Sequence, residues 1–174
     1  ARDDAWGGSD FTFGDVTLRK PKHDNHELLG KTKFAGCLGV MKDVKRNKYT
    51  QNAKIEADCS VDGKEVYKLK STANTANWWY DHRISLIDAK TFADYRTEYF
   101  KGGKHIKTID RSWASANLDD PRASYWGYWY GKTNTTGHET MAFIPSTITK
   151  VNHKYKAKNL WSTRTLKKMP KKIK

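Results

Sequence analysis

Hydrophobic and polar residues alternate in short runs punctuated by Gly, Asn and Asp. The clearest case runs from Asp94 through Lys101, across Gly102-Gly103, and back from Lys104 through Arg111. Two consecutive glycines suit a two-residue type I′ hairpin loop, which needs positive φ at both positions. Pairing through that loop sets Tyr99 opposite Ile106, Glu98 opposite Lys107, Thr97 opposite Thr108 and Asp94 opposite Arg111. Opposite charges and matched threonines are what antiparallel neighbours favour. A helix over 88–101 competes, because Phe92, Tyr95 and Tyr99 have helical spacing. The cross-strand matches favour the hairpin.

A second turn is expected at Asp62-Gly63. Before it Ile55, Ala57, Cys59 and Val61 alternate with polar neighbours, as a half-buried strand does, and the chain can return over 65–70. A third hairpin is expected around Gly131 to Gly137, joining 124–130 to 138–144. Further strands are expected over 11–18, 33–41, 78–86 and 148–155, with Pro121 and Pro145 at strand ends. Short strands at close spacing imply an all-β chain: one antiparallel sandwich or barrel built from hairpins. Residues 1–158 form the expected domain, with 1–10 a loose arm, and 159–174 a basic tail in which Pro170 stops any helix.

Composition sharpens this picture. Only 37% of residues are hydrophobic but 13% are aromatic, so the chain is a folded domain with a ring-rich core and not a disordered basic segment. No apolar run approaches the roughly 20 residues of a membrane-spanning helix. The chain starts at Ala1 without a hydrophobic leader, as expected of a mature secreted, extracellular protein. Its two cysteines, Cys37 and Cys59, are expected to form a disulfide worth about 3 kcal/mol in the chain-entropy model. Asn134-Thr135-Thr136 is a glycosylation sequon.

Charge is one-sided. Glu139 is the last acidic residue, and ten Lys and Arg follow it in a chain of net charge +14. Lys154, Lys156, Lys158, Lys167, Lys168, Lys171 and Lys172 are the expected contact lysines. Such a field suits an anionic polymer or an acidic membrane surface, with a host protein as the other expected partner, against the plainer reading of a solvated terminus.

Two aromatic clusters, Trp78-Trp79-Tyr80 and Tyr125-Trp126-Gly127-Tyr128-Trp129-Tyr130, are the other candidate site. Strict alternation would put Tyr125, Gly127 and Trp129 on one face of a strand and Trp126, Tyr128 and Tyr130 on the other. Both faces cannot easily be dry core, so some of these rings are expected at a contact surface; the alternative is a sheet edge covered by loops and lysine stems. The six histidines give no metal pattern: His23 and His26 lie among carboxylates, but no second ligand pair has matching spacing. Asp81-His82-Arg83 and His138-Glu139 offer acid–base residue types without a recognisable catalytic motif.

Trp78-Trp79 followed by Arg83-Ile84 is similar to the aromatic segment of actinoporin-type cytolysins, basic single β-sandwich domains that bind lipid headgroups with exposed rings. The likeness is confined to that segment, and residues 1–18 lack the amphipathic stretch such toxins insert. The expected function is therefore binding without chemistry: a toxin- or effector-like protein that holds an anionic or glycan-bearing partner with rings and lysines, and needs no cofactor or metal. A cytolysin-like lipid binder and a ribonuclease-like enzyme are the alternatives.

Overall fold

A computed structural model describes residues 4–17, 20–44, 51, 56–144 and 162–167. Seven strands form one antiparallel sheet in chain order: β1 (Asp24–Lys33), β2 (Glu65–Ala73), β3 (His82–Asp88), β4 (Asp94–Lys101), β5 (Lys104–Ser115), β6 (Ser124–Thr133) and β7 (Glu139–Phe143). The all-β, antiparallel expectation holds. Helix among the described residues is confined to the single-turn α1 (Phe13–Val16), α2 (Thr163–Leu166) and two 3-10 turns.

Both faces of the sheet are covered by irregular chain. On one face Phe34, Leu38 and Val61 pack against Val66, Tyr95, Tyr128 and Tyr130. The segments supplying these covers, 34–44 and 56–64, had been expected to contain strands. Phe34, Leu38 and Val61 are buried, but the backbones of these segments join no ladder. The Cys37–Cys59 disulfide ties the two segments together, as expected. Arg96 anchors them to the sheet: it holds Asp110 through two 2.7 Å bonds and donates to the Cys37 carbonyl at 3.2 Å. Gly39 N–H also donates to Asp110 at 2.6 Å.

The opposite face, here the strap face, is crossed by the N-terminal segment. There Phe11 joins Tyr80, Tyr99 and Ile109 in a second core. Residues 11–18 were expected to be a strand; their centre is α1, closed by a reciprocal capping pair. Asp15 N–H donates to Thr12 Oγ1 at 3.2 Å, and Thr12 N–H donates to Asp15 Oδ2 at 2.7 Å. The expected arm over 1–10 ends in Asp10, which is buried and hydrogen-bonded to the sheet.

Four register shifts set which side chain reaches which face, and those in β5 and β6 bear most on the sequence expectations. The Gly102-Gly103 turn is present, with φ of 56° and 72°. However, Phe100 pairs with His105 and Tyr99 with Lys107, leaving Ile106 as an extra residue. Glu98 therefore pairs with Thr108, not Lys107. A one-residue slip turns the strand over, and Lys107 becomes buried on the strap face, 4% exposed. Asp94 and Arg111 still meet, as a 2.9 Å ion pair. In β6 the register shifts at Gly127, between the Ser112–Tyr128 and Trp113–Trp126 pairs. The expected alternation fails there: Trp126 lands beside Trp129, ring centroids 5.6 Å apart.

Residues 65–70 do form a strand, but β2 pairs with β1 and β3 instead of 55–61. Residues 78–80 belong to the loop before β3. The third hairpin stands as expected between β6 and β7. The strand expected over 148–155 lies outside the described residues, as does the tail apart from 162–167.

Candidate functional site

The strap is pinned at two acidic residues. Asp10 accepts from Thr133 Oγ1 and Thr140 Oγ1, each at 2.6 Å, and lies 2.8 Å from His138 Nδ1. Asp15 takes Lys107 Nζ at 2.5 Å, with the two side chains 0% and 6% exposed. Between these anchors Phe11 sits edge-on to Trp129, with centroids 5.7 Å apart. The strap can lie this close because β6 has Gly131 beneath it. A Cβ at that position would fall 2.9 Å from the Phe11 ring.

Beside the strap opens a cleft of about 390 Å³. Residues 14–17 border it, Tyr80, Tyr99, Trp113 and Trp129 wall it, and Arg83, Arg111 and Asp94 reach into it. The bulge-shifted β5 places Arg111 here, with Lys107 paired to Asp15 at the cleft's border, and β3 places Arg83 opposite Tyr99. Arg111 donates to Asp94 at 2.9 Å and to Thr97 Oγ1 at 3.2 Å, and its guanidinium lies 4.4 Å from the Trp129 ring centre. Arg83 reaches Asp24 at 3.3 Å. Lys107 sits 4.0 Å over Trp79.

Burial pulls the Lys107 ammonium below the usual lysine range, against the pull of Asp15. Burial likewise pushes the Tyr99 hydroxyl far above its ordinary value. Arg83 Nε and Trp129 Nε1 are buried donors with no acceptor among the described residues. The site is thus an aromatic cleft with fixed cations at one end.

Five of the seven expected rings gather on this face. Trp79 stacks on Tyr99 at 4.8 Å, Trp78 and Trp79 meet Tyr80 edge-on, and Trp126 and Trp129 touch. Tyr128 and Tyr130 go to the other face. There the Tyr128 hydroxyl accepts from Asp58 N–H at 3.1 Å, and Tyr130 donates to Glu139 at 2.5 Å. Of the contact lysines, Lys167 is described and exposed, while Lys154, Lys156, Lys158, Lys168, Lys171 and Lys172 lie outside the described residues. Asn134 is exposed in the β6–β7 turn, its amide donating to the His105 carbonyl at 3.3 Å.

Among the described residues the histidines form no cluster. His26 lies 2.9 Å from Ser71 Oγ, His82 stacks on Phe100, and His138 meets Asp10. No group of three potential metal ligands occurs among the described residues.

No family model matches the chain, and no curated protein does. Solved structures do match. A putative outer membrane lipoprotein-sorting protein domain from Vibrio parahaemolyticus superposes with a TM-score of 0.59 at 16% identity, over 95% of this chain and 57% of that one. A DUF1329 family protein from Desulfovibrio piger gives 0.56 at 12% identity, over 92% and 57%. A LolA superfamily protein from Nitrosomonas europaea gives 0.50 at 14% identity, over 82% and 56%.

The fold is LolA-like. The chain spans less than three-fifths of the length of each of these proteins. These matches overturn the toxin- or effector-like reading with its glycan-bearing partner, and with it the cytolysin-like and ribonuclease-like alternatives. They give no support to an anionic polymer, a host protein, virulence or a glycoprotein. The geometry explains why the ring clusters misled. Trp78 and Trp79 are half-buried against Tyr80 and Tyr99, unlike the displayed rings of a cytolysin, and Tyr128 and Tyr130 are core. The LolA-like sheet uses its aromatics to line and close its faces.

The site residues that sequence reasoning missed are Phe11, Asp15 and Lys107; Arg83 was noted only as an acid–base residue type and within the cytolysin-like segment. The Thr12-x-x-Asp15 spacing was a readable sign of a helix start. Nothing in the pattern marked Lys107 as an inward residue.

Proposed function

We propose that the chain is a binding domain for a lipid or similar hydrophobic ligand, held in the cleft on the strap face. The observation that carries this is the cleft itself. Its volume of about 390 Å³ falls within the roughly 300–1,000 Å³ typical of small-molecule sites, which are mostly apolar with a few placed polar groups. Its aromatic walls and buried cations fit that description. The likeness to a lipoprotein-sorting domain and a LolA superfamily protein supports a ligand carrying acyl chains. The disulfide fits an oxidising compartment, so a periplasmic or extracellular location goes with this reading.

The test is co-elution on size exclusion of the protein with an acylated lipopeptide, compared with the same peptide lacking its acyl chains. Only the acylated form is expected to travel with the protein. Equal co-elution of both peptides, or of neither, would sink the reading.

A further inference from the structure

Strand register arranges the strap face into three rows running from β4 to β1. They are Asp94, Ile87, Tyr67 and Lys31; Thr97, Ser85, Leu69 and Leu28; and Tyr99, Arg83, Ser71 and His26. Adjacent members stand about 4.8 Å apart. Towards β1 the two rows present Ile87, Tyr67, Leu69 and Leu28, and the first ends in Lys31, whose ammonium is already paired with Glu65 at 2.8 Å; Leu28 is 60% exposed, and Phe92, 62% exposed, stacks on Tyr67 at 6.5 Å. Phe92 holds this place at a φ of 61°, an unusual conformation for a bulky residue. The loop that holds it is braced by Asp88, which accepts the Lys90 and Thr91 N–H groups at 2.8 Å. Towards β4 the same rows run into the cleft, where Thr97 and Asp94 contact Arg111.

We infer that the strap face binds an amphiphile with an acidic head group in one orientation. The head meets Arg111 and Arg83 in the cleft. The chain lies over Ile87, Leu69 and Tyr67, towards Leu28 and Phe92. This rests on the lipid-binding reading above.

The sign of the head follows from which ion pairs a ligand can replace. Asp15 and Asp24 are 0% and 1% exposed and stay with Lys107 and Arg83. Asp94 is 36% exposed, while its partner Arg111 is 7% exposed. If Asp94 swings out, Arg111 is left as a buried charge, which is costly unless another anion replaces the carboxylate. A guanidinium presents a planar fork that suits a carboxylate or phosphate. Arg83 Nε and Trp129 Nε1 add donors nearby. A cationic head would meet Arg111 and Arg83 instead and be repelled.

The experiment compares dodecanoate, dodecyl phosphate, dodecanol and dodecyltrimethylammonium by titration calorimetry below their micellar concentrations. At least one of the two acids should bind about tenfold tighter than both the alcohol and the cation, and the tighter acid identifies the head. Asp94→Asn removes the competing carboxylate. It should tighten the acid by about fivefold relative to dodecanol. Asp119→Asn, the same charge change in the exposed β5–β6 loop, should not. Arg111→Gln should abolish the preference for the acid; if that variant unfolds, the Asp94 comparison decides alone. Equal binding of acid and alcohol, or equal effects of the two aspartate variants, overturns the inference and leaves the lipid reading standing. Binding of none of the four compounds overturns both.

Discussion

Gly39 shows how tightly the disulfide-tied cover meets the sheet. Its N–H bonds Asp110, and a Cβ there would lie 2.3 Å from two ring carbons of Tyr130 and 3.2 Å from Asp110 Oδ2. Tyr130 is core and fixed through Glu139, so the ring has little freedom to give way. Gly39→Ala should therefore destabilise the protein by about 1–3 kcal/mol, the usual cost of overpacking. Urea unfolding of the variant checks this, and an unchanged midpoint would show that the cover shifts freely. Single residues are also where the sequence was least legible. Asp110, Arg111 and Lys107 are all buried, against the strong tendency of charged groups to stay outside. Each is buried beside its own counter-charge. For Arg111 the hairpin pattern had already set Asp94 opposite it, but the partners of Lys107 and Asp110 are a property of three-dimensional register that no local pattern displays.

At the scale of elements, what was legible was what is local. The Gly102-Gly103 turn and the β6–β7 hairpin are built by neighbours in sequence, so their turn chemistry announces them. β1 was missed because nearly all its residues are exposed; a polar edge strand has no buried side to produce alternation. Segments 34–44 and 56–64 misled in the opposite sense, since burial of Phe34, Leu38 and Val61 imitates a strand's pattern without a ladder. The bulge at Gly127 was readable in principle, because a glycine within a strand often marks one. The strap was expected as a strand because four helical residues show too little periodicity, although the Thr12-x-x-Asp15 spacing marked a helix start. Its grip is testable. Phe11 is 1% exposed, and Phe11→Ala should cost up to about 3–5 kcal/mol, lost locally if the strap opens alone. Chymotrypsin should then cut rapidly beside Phe13 while circular dichroism of the sheet persists. Unchanged cleavage and an unchanged melt would show that Asp10 and Asp15 hold the strap without Phe11.

For the whole molecule, stability rests on two cores that share one chemical dependence. Tyr95, Tyr128 and Tyr130 sit in one and Tyr99 in the other. Burial pushes all four hydroxyls above the ordinary tyrosine value, Tyr128 to about 12. Hydrogen bonds to Asp88 and Glu139 push Tyr95 and Tyr130 further in the same direction. A group whose folded pKa is raised contributes its stability fully below the unfolded value, here 10.0. That contribution is lost as pH rises through the folded value, because only the unfolded chain can ionise first. Lys107 works the other way: its lowered pKa means that raising the pH towards 10.5 favours the folded state. One lysine stands against four tyrosines, so the loss should win. Relief of positive charge cannot delay it, since the chain passes neutrality near pH 9.7. Melting temperature should hold to about pH 10 and fall steeply towards pH 12, with the buried tyrosines ionising only as the protein unfolds. Following tyrosinate absorbance and melting together over that range checks it. If all nine tyrosines ionised near pH 10 with the sheet intact, the two cores would have to be far wetter than their packing indicates.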